Sequence, residues 1–229
     1  MKIITNEKKI VRNKKIGTIT TIGSLVILGI GLYMSFKQEL MNYSFGALLL
    51  GFLLSQVGIY YGSRWGRSPR PDEVISQSLK GLGDQFTLYH YSSPVPHLLV
   101  GPAGTWILAP FYQGGTITYD EKRKRYKQKG GNFYLKLFGQ ESLGRPELEL
   151  NNYRHDLDKY FEKHLPEGAD KPTVDAALVF TNPKAEIEVV NSPDPAMAAP
   201  KLKEFLRKKS KAKNLSDEKI KFITSVLEK

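Results

Sequence analysis

The chain has 229 residues, 41% of them hydrophobic, with a formal net charge of +11 and no cysteine. The absence of cysteine excludes disulfides, thiolate metal sites and cysteine nucleophiles, and fits a reducing, cytoplasmic setting. The charge is uneven: residues 1–71 carry ten Lys or Arg against two acids, whereas residues 72–229 carry 24 against 21 and are only mildly basic.

Residues 1–15, with Lys8, Lys9, Arg12, Lys14 and Lys15, read as a basic N-terminus. No charge occurs from Ile16 to Phe36, and a second uncharged run extends from Leu40 to Ser63. About 20 helical residues cross a bilayer core, so the runs predict a transmembrane hairpin with spans at 16–36 and 40–62. Buried core helices are shorter and less uniformly apolar, and a cleaved signal peptide would have a shorter apolar region and no second run. Arg64, Arg67 and Arg70 follow the second span, so the basic flanks place both chain ends in the cytoplasm of a two-span cell-membrane protein. The bilayer and its anionic head groups are the expected partners of this part. Tyr33, Tyr43, Tyr60, Tyr61 and Trp65 stand where interfacial aromatics stand. Gly23, Gly29, Gly31, Gly46, Gly51 and Gly58 are expected to let the two helices approach closely.

Residues 63–71 form a proline-containing linker, residues 72–192 a domain and residues 193–229 a basic helical tail. Within the domain the pattern predicts a short helix from Asp72 to Gly83 and a meander of strands at Phe86–Tyr91, His97–Val100, Thr105–Tyr112 and Thr116–Tyr119. A charged turn at Asp120–Lys124 follows, then an amphipathic helix from Pro146 to Leu165 that packs across the sheet, and strands at Ala176–Phe180 and Glu186–Val190. Helices at Pro200–Lys209 and Ser216–Leu227 end the chain. The order is mixed α/β.

The succession Gly-Leu-Gly-Asp-Gln-Phe, then Pro96 to Leu108 (PHLLVGPAGTWIL), a turn ending in Gln113-Gly114-Gly115, then GRPELELNNYRHDLDKYF and AALVFTN, resembles the nuclease-related domain family. The resemblance covers about residues 72–190 and implies a restriction-endonuclease-like core of the PD-(D/E)xK type after the two transmembrane helices. It also implies an aspartate just before the His-hydrophobic strand and a Glu-x-Lys on the next, where carboxylates hold Mg or Mn and the lysine orients water. Here those positions are Pro96, Ala109 and Phe111, none of which supplies an oxygen ligand. The expectation is a degenerate member without a catalytic or metal site, acting as a non-catalytic binding module or scaffold for an unidentified protein partner, with the old cleft either filled by Phe111, Tyr112 and Trp106 or used for a partner.

The alternatives are a weak nuclease with ligands relocated to Asp84, Asp120, Glu121 or Glu141 beside Lys122, which alone would need Mg or Mn, and a membrane tether for nucleic acid. His97 could serve as ligand or base, but with no second histidine at ligand spacing it reads as a partly buried residue with satisfied hydrogen bonds. His155 and Asp156 are adjacent on a helix and cannot face each other. The turn Gly101-Pro102-Ala103-Gly104 lacks the Lys-Ser/Thr of a phosphate loop, and no Gly-x-Ser-x-Gly elbow occurs. Two basic stretches remain, Lys122, Arg123, Lys124, Arg125, Lys127 and Lys129 with Tyr119, Tyr126 and Phe133 interleaved, and Arg207, Lys208, Lys209, Lys211 and Lys213 in the tail. Each fits a solvated surface, lipid contact, or nucleic acid tracked by cations and stacked on aromatics.

Overall fold

The structure, a computed structural model, describes residues 1–131 and 142–228. It divides into two compact units, Glu7–Arg70 and a domain made of Met1–Asn6 with Pro71–Lys229. The first unit is an antiparallel pair, α1 (Glu7–Ser35) and α2 (Met41–Tyr61), joined by a single 3-10 turn at Gln38–Leu40. Both helices are long and apolar enough to cross a membrane, and only 17% and 11% of their most apolar windows is buried. A core helix of a soluble protein would bury that surface; here Leu25, Phe45 and Phe52 are more than half exposed.

Close approach of the two helices is carried by a subset of the glycines. A Cβ on Gly51 would stand 2.7 Å from Leu28 Cγ, one on Gly58 2.5 Å from Thr21 Oγ1, and ones on Gly31 and Gly17 3.1 Å from Leu48 and Tyr61. Gly17, Ser24 and Gly31 on α1, and Ser44, Gly51 and Gly58 on α2, are the buried small residues, each set spaced by seven. Ser44 Oγ donates to the Gly31 carbonyl at 2.7 Å, which closes the seam with a hydrogen bond. Gly23, Gly29 and Gly46 have nothing within 4 Å of the added Cβ, so they do not contribute to the approach as expected.

The domain is built on a six-stranded mixed sheet with order β1-β2-β3-β4-β7-β9, comprising Lys2–Thr5, Thr87–His90, His97–Gly101, Gly104–Phe111, Val174–Phe180 and Ala196–Ala198. The three strands β2, β3 and β4 form the expected antiparallel meander, and β4 pairs parallel with β7 over seven register pairs, Thr105↔Val174 to Phe111↔Phe180. Helices cover both faces. On one face Ile107, Ala109, Phe111, Leu178 and Phe180 meet Leu150, Leu157 and Phe161 of α4 (Pro146–His164) and Ile223 and Val226 of α6 (Asp217–Leu227). On the other, Leu88, Leu99, Trp106, Leu108 and Val179 meet Ile75 and Leu79 at α3 (Pro71–Ser78), with Leu202 and Leu206 of α5 (Leu202–Lys213). A small second sheet has order β6-β5-β8, with β5 Gly115–Asp120, β6 Arg125–Lys129 and β8 Ala185–Glu188.

The helix ends follow local rules. Pro146 occupies the first turn of α4 with Glu147 and Glu149, and Lys163 and His164 lie in its last turn, each matched to the helix dipole. Ser216 caps α6 by accepting from the Lys219 backbone N–H. Asn214 ends α5 in the left-handed region, φ +36°.

Three boundaries differ from the sequence reading. Residues 1–15 are not a separate basic segment, because Lys2–Thr5 is the edge strand β1, paired parallel with β2, and α1 already begins at Glu7. Residues 193–229 are not an appended tail: β9 joins the main sheet, and Leu202, Leu206, Ile220 and Val226 are core residues. The fourth strand leaves the meander for the small sheet, where it pairs with β6, unforeseen in that basic run, and with β8.

Alanine at Gly51 or Gly58 is expected to lower the melting temperature of the detergent-solubilised protein. Alanine at Gly23 or Gly29 should leave it unchanged or raise it, since glycine costs a helix about 1 kcal/mol relative to alanine and nothing obstructs the new methyl.

Candidate functional site

The positions to which the resemblance assigns ligands are placed by β3 and β4. Pro96 immediately precedes β3, and Ala109 and Phe111 lie near the end of β4. Leu98 pairs with Ile107, so Pro96 and Ala109 each stand two residues beyond that pair, on neighbouring chains running in opposite directions. The side chains there are built for packing. Ala109 and Phe111 are buried at 1% and 6% exposure, and the Phe111 ring lies 5.7 Å from that of Phe180. Pro96 is half-buried, and its carbonyl accepts from the Tyr91 backbone N–H at 2.7 Å.

The filling of this region differs from expectation in two side chains. Trp106 belongs to the opposite face of the sheet, where its indole N–H donates to the Ala103 carbonyl and its ring stands edge-on to Phe205. Alternation along β4 sends residues 107, 109 and 111 to one face and 106 and 108 to the other. Tyr112 lies beyond the strand, 39% exposed.

The candidate replacement carboxylates are dispersed. Asp84 is fully exposed and bonds the amino group of Met1, which holds its carboxyl below the usual range. Asp120 pairs with Lys127 at 2.5 Å and accepts from the Arg123 backbone N–H, and these hydrogen bonds lower its pKa in turn. Glu121 accepts from the Asn191 amide at 2.8 Å. Glu141 and Phe133 lie outside the described residues. Among the described residues no group of three or more His, Asp or Glu could hold a metal ion.

His97 has a histidine partner that the sequence reading missed. The β2/β3 register sets His90 directly opposite it, and both rings are 1% exposed. Their Nδ1 atoms are 2.8 Å apart, so one ring donates the shared proton and the other accepts it. His90 Nε2 continues the chain to Ser76 Oγ on α3 at 2.9 Å, and the Tyr91 ring stands edge-on to His97. The signal was two histidines at facing ends of adjacent short strands, legible only once the hairpin register is known. His155 and Asp156 are exposed neighbours on α4 and form no dyad.

The two basic stretches come to opposite sides of the main sheet. On α5, Arg207 donates to the Gly81 carbonyl, Lys208 pairs with Glu204, Lys209 lies over the Phe205 ring, Lys213 pairs with Asp175, and Lys211 is exposed. In the other stretch Lys122, Arg123 and Lys124 form the β5–β6 turn, and Arg125, Lys127 and Lys129 take the outward face of β6. Tyr126 points inward, buried at 2%, and donates to the Asp194 carbonyl at 2.7 Å; the Tyr119 ring packs 5.0 Å from it. Tyr126 is core and Tyr119 half-buried against it, so Tyr126 forms no part of the stacking surface expected between the cations. The Arg154 guanidinium on α4 pairs with the Asp194 carboxylate, fixing the same corner.

No protein-family model, curated protein or solved structure matches the chain.

Burial pushes the Tyr89 and Tyr126 hydroxyls up to about 12. A phenol raised above its unfolded value near 10 contributes stability that is complete below pH 10 and is lost as pH rises through 12. Phenolate absorbance is therefore expected to include a fraction that ionises only with alkaline unfolding and that the Y89F/Y126F double variant removes.

Proposed function

We propose that this is a membrane-anchored, cytoplasm-facing protein whose domain is a nuclease-related, restriction-endonuclease-like core that has lost its metal site and serves as a non-catalytic binding or scaffold module. The observation that carries the reading is the packing at Ala109 and Phe111, buried in the cluster that contains Phe180 and the α4 residues Leu150 and Phe161. A carboxylate or ammonium placed there would lose its hydration, a cost of several kcal/mol per ion. The matched offsets of Pro96 and Ala109 from the Leu98–Ile107 pair support the family assignment, because an aspartate and a glutamate at those places would be neighbours able to share a cation.

Membrane anchoring rests on the exposed apolar surface of α1 and α2. The same-side arrangement of their ends rests on β1. The strand before α1 and the strands after α2 belong to one sheet, which supports a hairpin whose two ends lie on the same side of the bilayer. The arginines and lysines at both ends favour the cytoplasm as that side. Nucleic-acid tethering is the weaker reading, since the β6 cations share their face with Glu186 and Glu188.

Topology is tested in a background free of native cysteine. A membrane-impermeant maleimide is expected to label E39C in intact cells and E167C only after permeabilisation; the reverse pattern would refute the orientation.

Catalysis is tested on the whole detergent-solubilised chain, because β1 is part of the domain. With labelled DNA and RNA, magnesium or manganese, and two salt concentrations, neither cleavage nor salt-sensitive binding is expected. Metal-dependent cleavage abolished by D120N or E121Q would replace this reading with the relocated-ligand nuclease. Binding without cleavage would establish the tether.

A further inference from the structure

We propose that the outward face of the β6-β5-β8 sheet is a self-complementary docking surface for a second copy of this chain. Alternation sends Ile117, Tyr126 and Ile187 toward the core and leaves three parallel files on the other face. They are Arg125, Lys127 and Lys129 on β6, Thr116 and Thr118 on β5, and Glu186 and Glu188 on β8.

The register orders these files into rows. Lys129, Thr116 and Glu186 share one row, and Lys127, Thr118 and Glu188 share the next. Neighbouring strands are about 4.8 Å apart, so a file of cations and a file of carboxylates flank the threonines at that spacing on either side. The five charged residues of the files are solvent-exposed, and the threonines half-buried.

A two-fold axis along β5 exchanges the flanking files while keeping each row at its own height. Lys129 then faces the partner's Glu186, Lys127 faces the partner's Glu188, and the threonines meet across the axis. No other occupant is needed to match this pattern: a polyanion would answer the β6 file but meet repulsion at β8. Asp120, the remaining outward residue of β5, is paired with Lys127 and stands opposite Arg125, so it does not bring an uncompensated charge to the axis. The Thr116 hydroxyl bonds Glu186 at 3.3 Å, which fixes that carboxylate in its row. Face-to-face sheets pack about 30° from parallel, an angle the long lysine side chains can bridge. Individual exposed ion pairs contribute little, so the contact is weak and salt-sensitive, and confinement to one membrane, on the anchoring proposed above, raises its effective concentration.

The test uses the full chain in native membranes, an introduced cysteine being the chain's sole thiol. With a homobifunctional maleimide whose spacer bridges the roughly 10 Å between facing sheets, T118C, beside the axis, is expected to give a cross-linked dimer, and E167C, in an exposed loop, none. Charge reversal on one file, K127E/K129E or E186K/E188K, should lower the T118C dimer at least about tenfold, as should high salt. The four-fold exchange K127E/K129E/E186K/E188K should restore it, which separates complementarity from any general effect of the substitutions. Melting temperatures close to the parent's establish that each variant is folded. Equal cross-linking at T118C and E167C, insensitivity of the T118C dimer to reversal, or a folded four-fold exchange that stays monomeric would each overturn the proposal.

Discussion

The parallel pairing of β4 with β7 is the constraint on which the rest of the domain depends. Both strands are covered on both faces, so nearly every residue along them must be apolar, and two layers of helices must be supplied to cover them. Leu150, Leu157 and Phe161 of α4 supply one layer, and Leu202 and Leu206 of α5 with Ile75 and Leu79 at α3 supply the other. That demand also decides the chemistry available at positions 109 and 111. They face α4, and a side chain there is a core side chain before it can be anything else.

Where the sequence was legible, the reason was local. The meander was readable because Gly101-Pro102-Ala103-Gly104 forces a tight turn: Gly104 has φ +103°, and a Cβ on Gly101 would fall 2.2 Å from the Phe86 ring. Helix α4 was readable from apolar residues at helical spacing, and the spans from their length. What escaped depends on distant partners. Lys-Ile-Ile-Thr at residues 2–5 carries no strand signal strong enough to stand apart from a basic terminus, and becomes β1 only by pairing with Thr87–His90. Arg-Tyr-Lys-Gln-Lys at 125–129 reads only as part of a basic stretch because its outward positions are cations, a common way of protecting an edge strand.

The candidate site shows the same division. That Pro96, Ala109 and Phe111 offer no oxygen ligand was legible from residue type alone. The hydrogen-bonded chain Ser76–His90–His97 was not, because it joins a helix to two strands and needs the hairpin register to bring its rings together. Likewise the basic stretches looked alike in sequence, yet on α5 four of the cations answer a carbonyl, an acid or a ring, and on β6 they form one side of a face with carboxylates at its other edge.

The position of β1 also imposes an order on biosynthesis. The strand leaves the ribosome before both apolar helices, but β2, the strand it pairs with, is made only after them. If the hairpin spans a bilayer as proposed, those helices enter the membrane while residues 2–5 wait unpaired at its surface. The sheet can then close only after insertion is complete, which couples the domain's maturation to successful membrane integration. A chain inserted with residues 2–5 across the bilayer would lack an edge strand and leave Leu88 and its neighbours on β2 without their parallel partner.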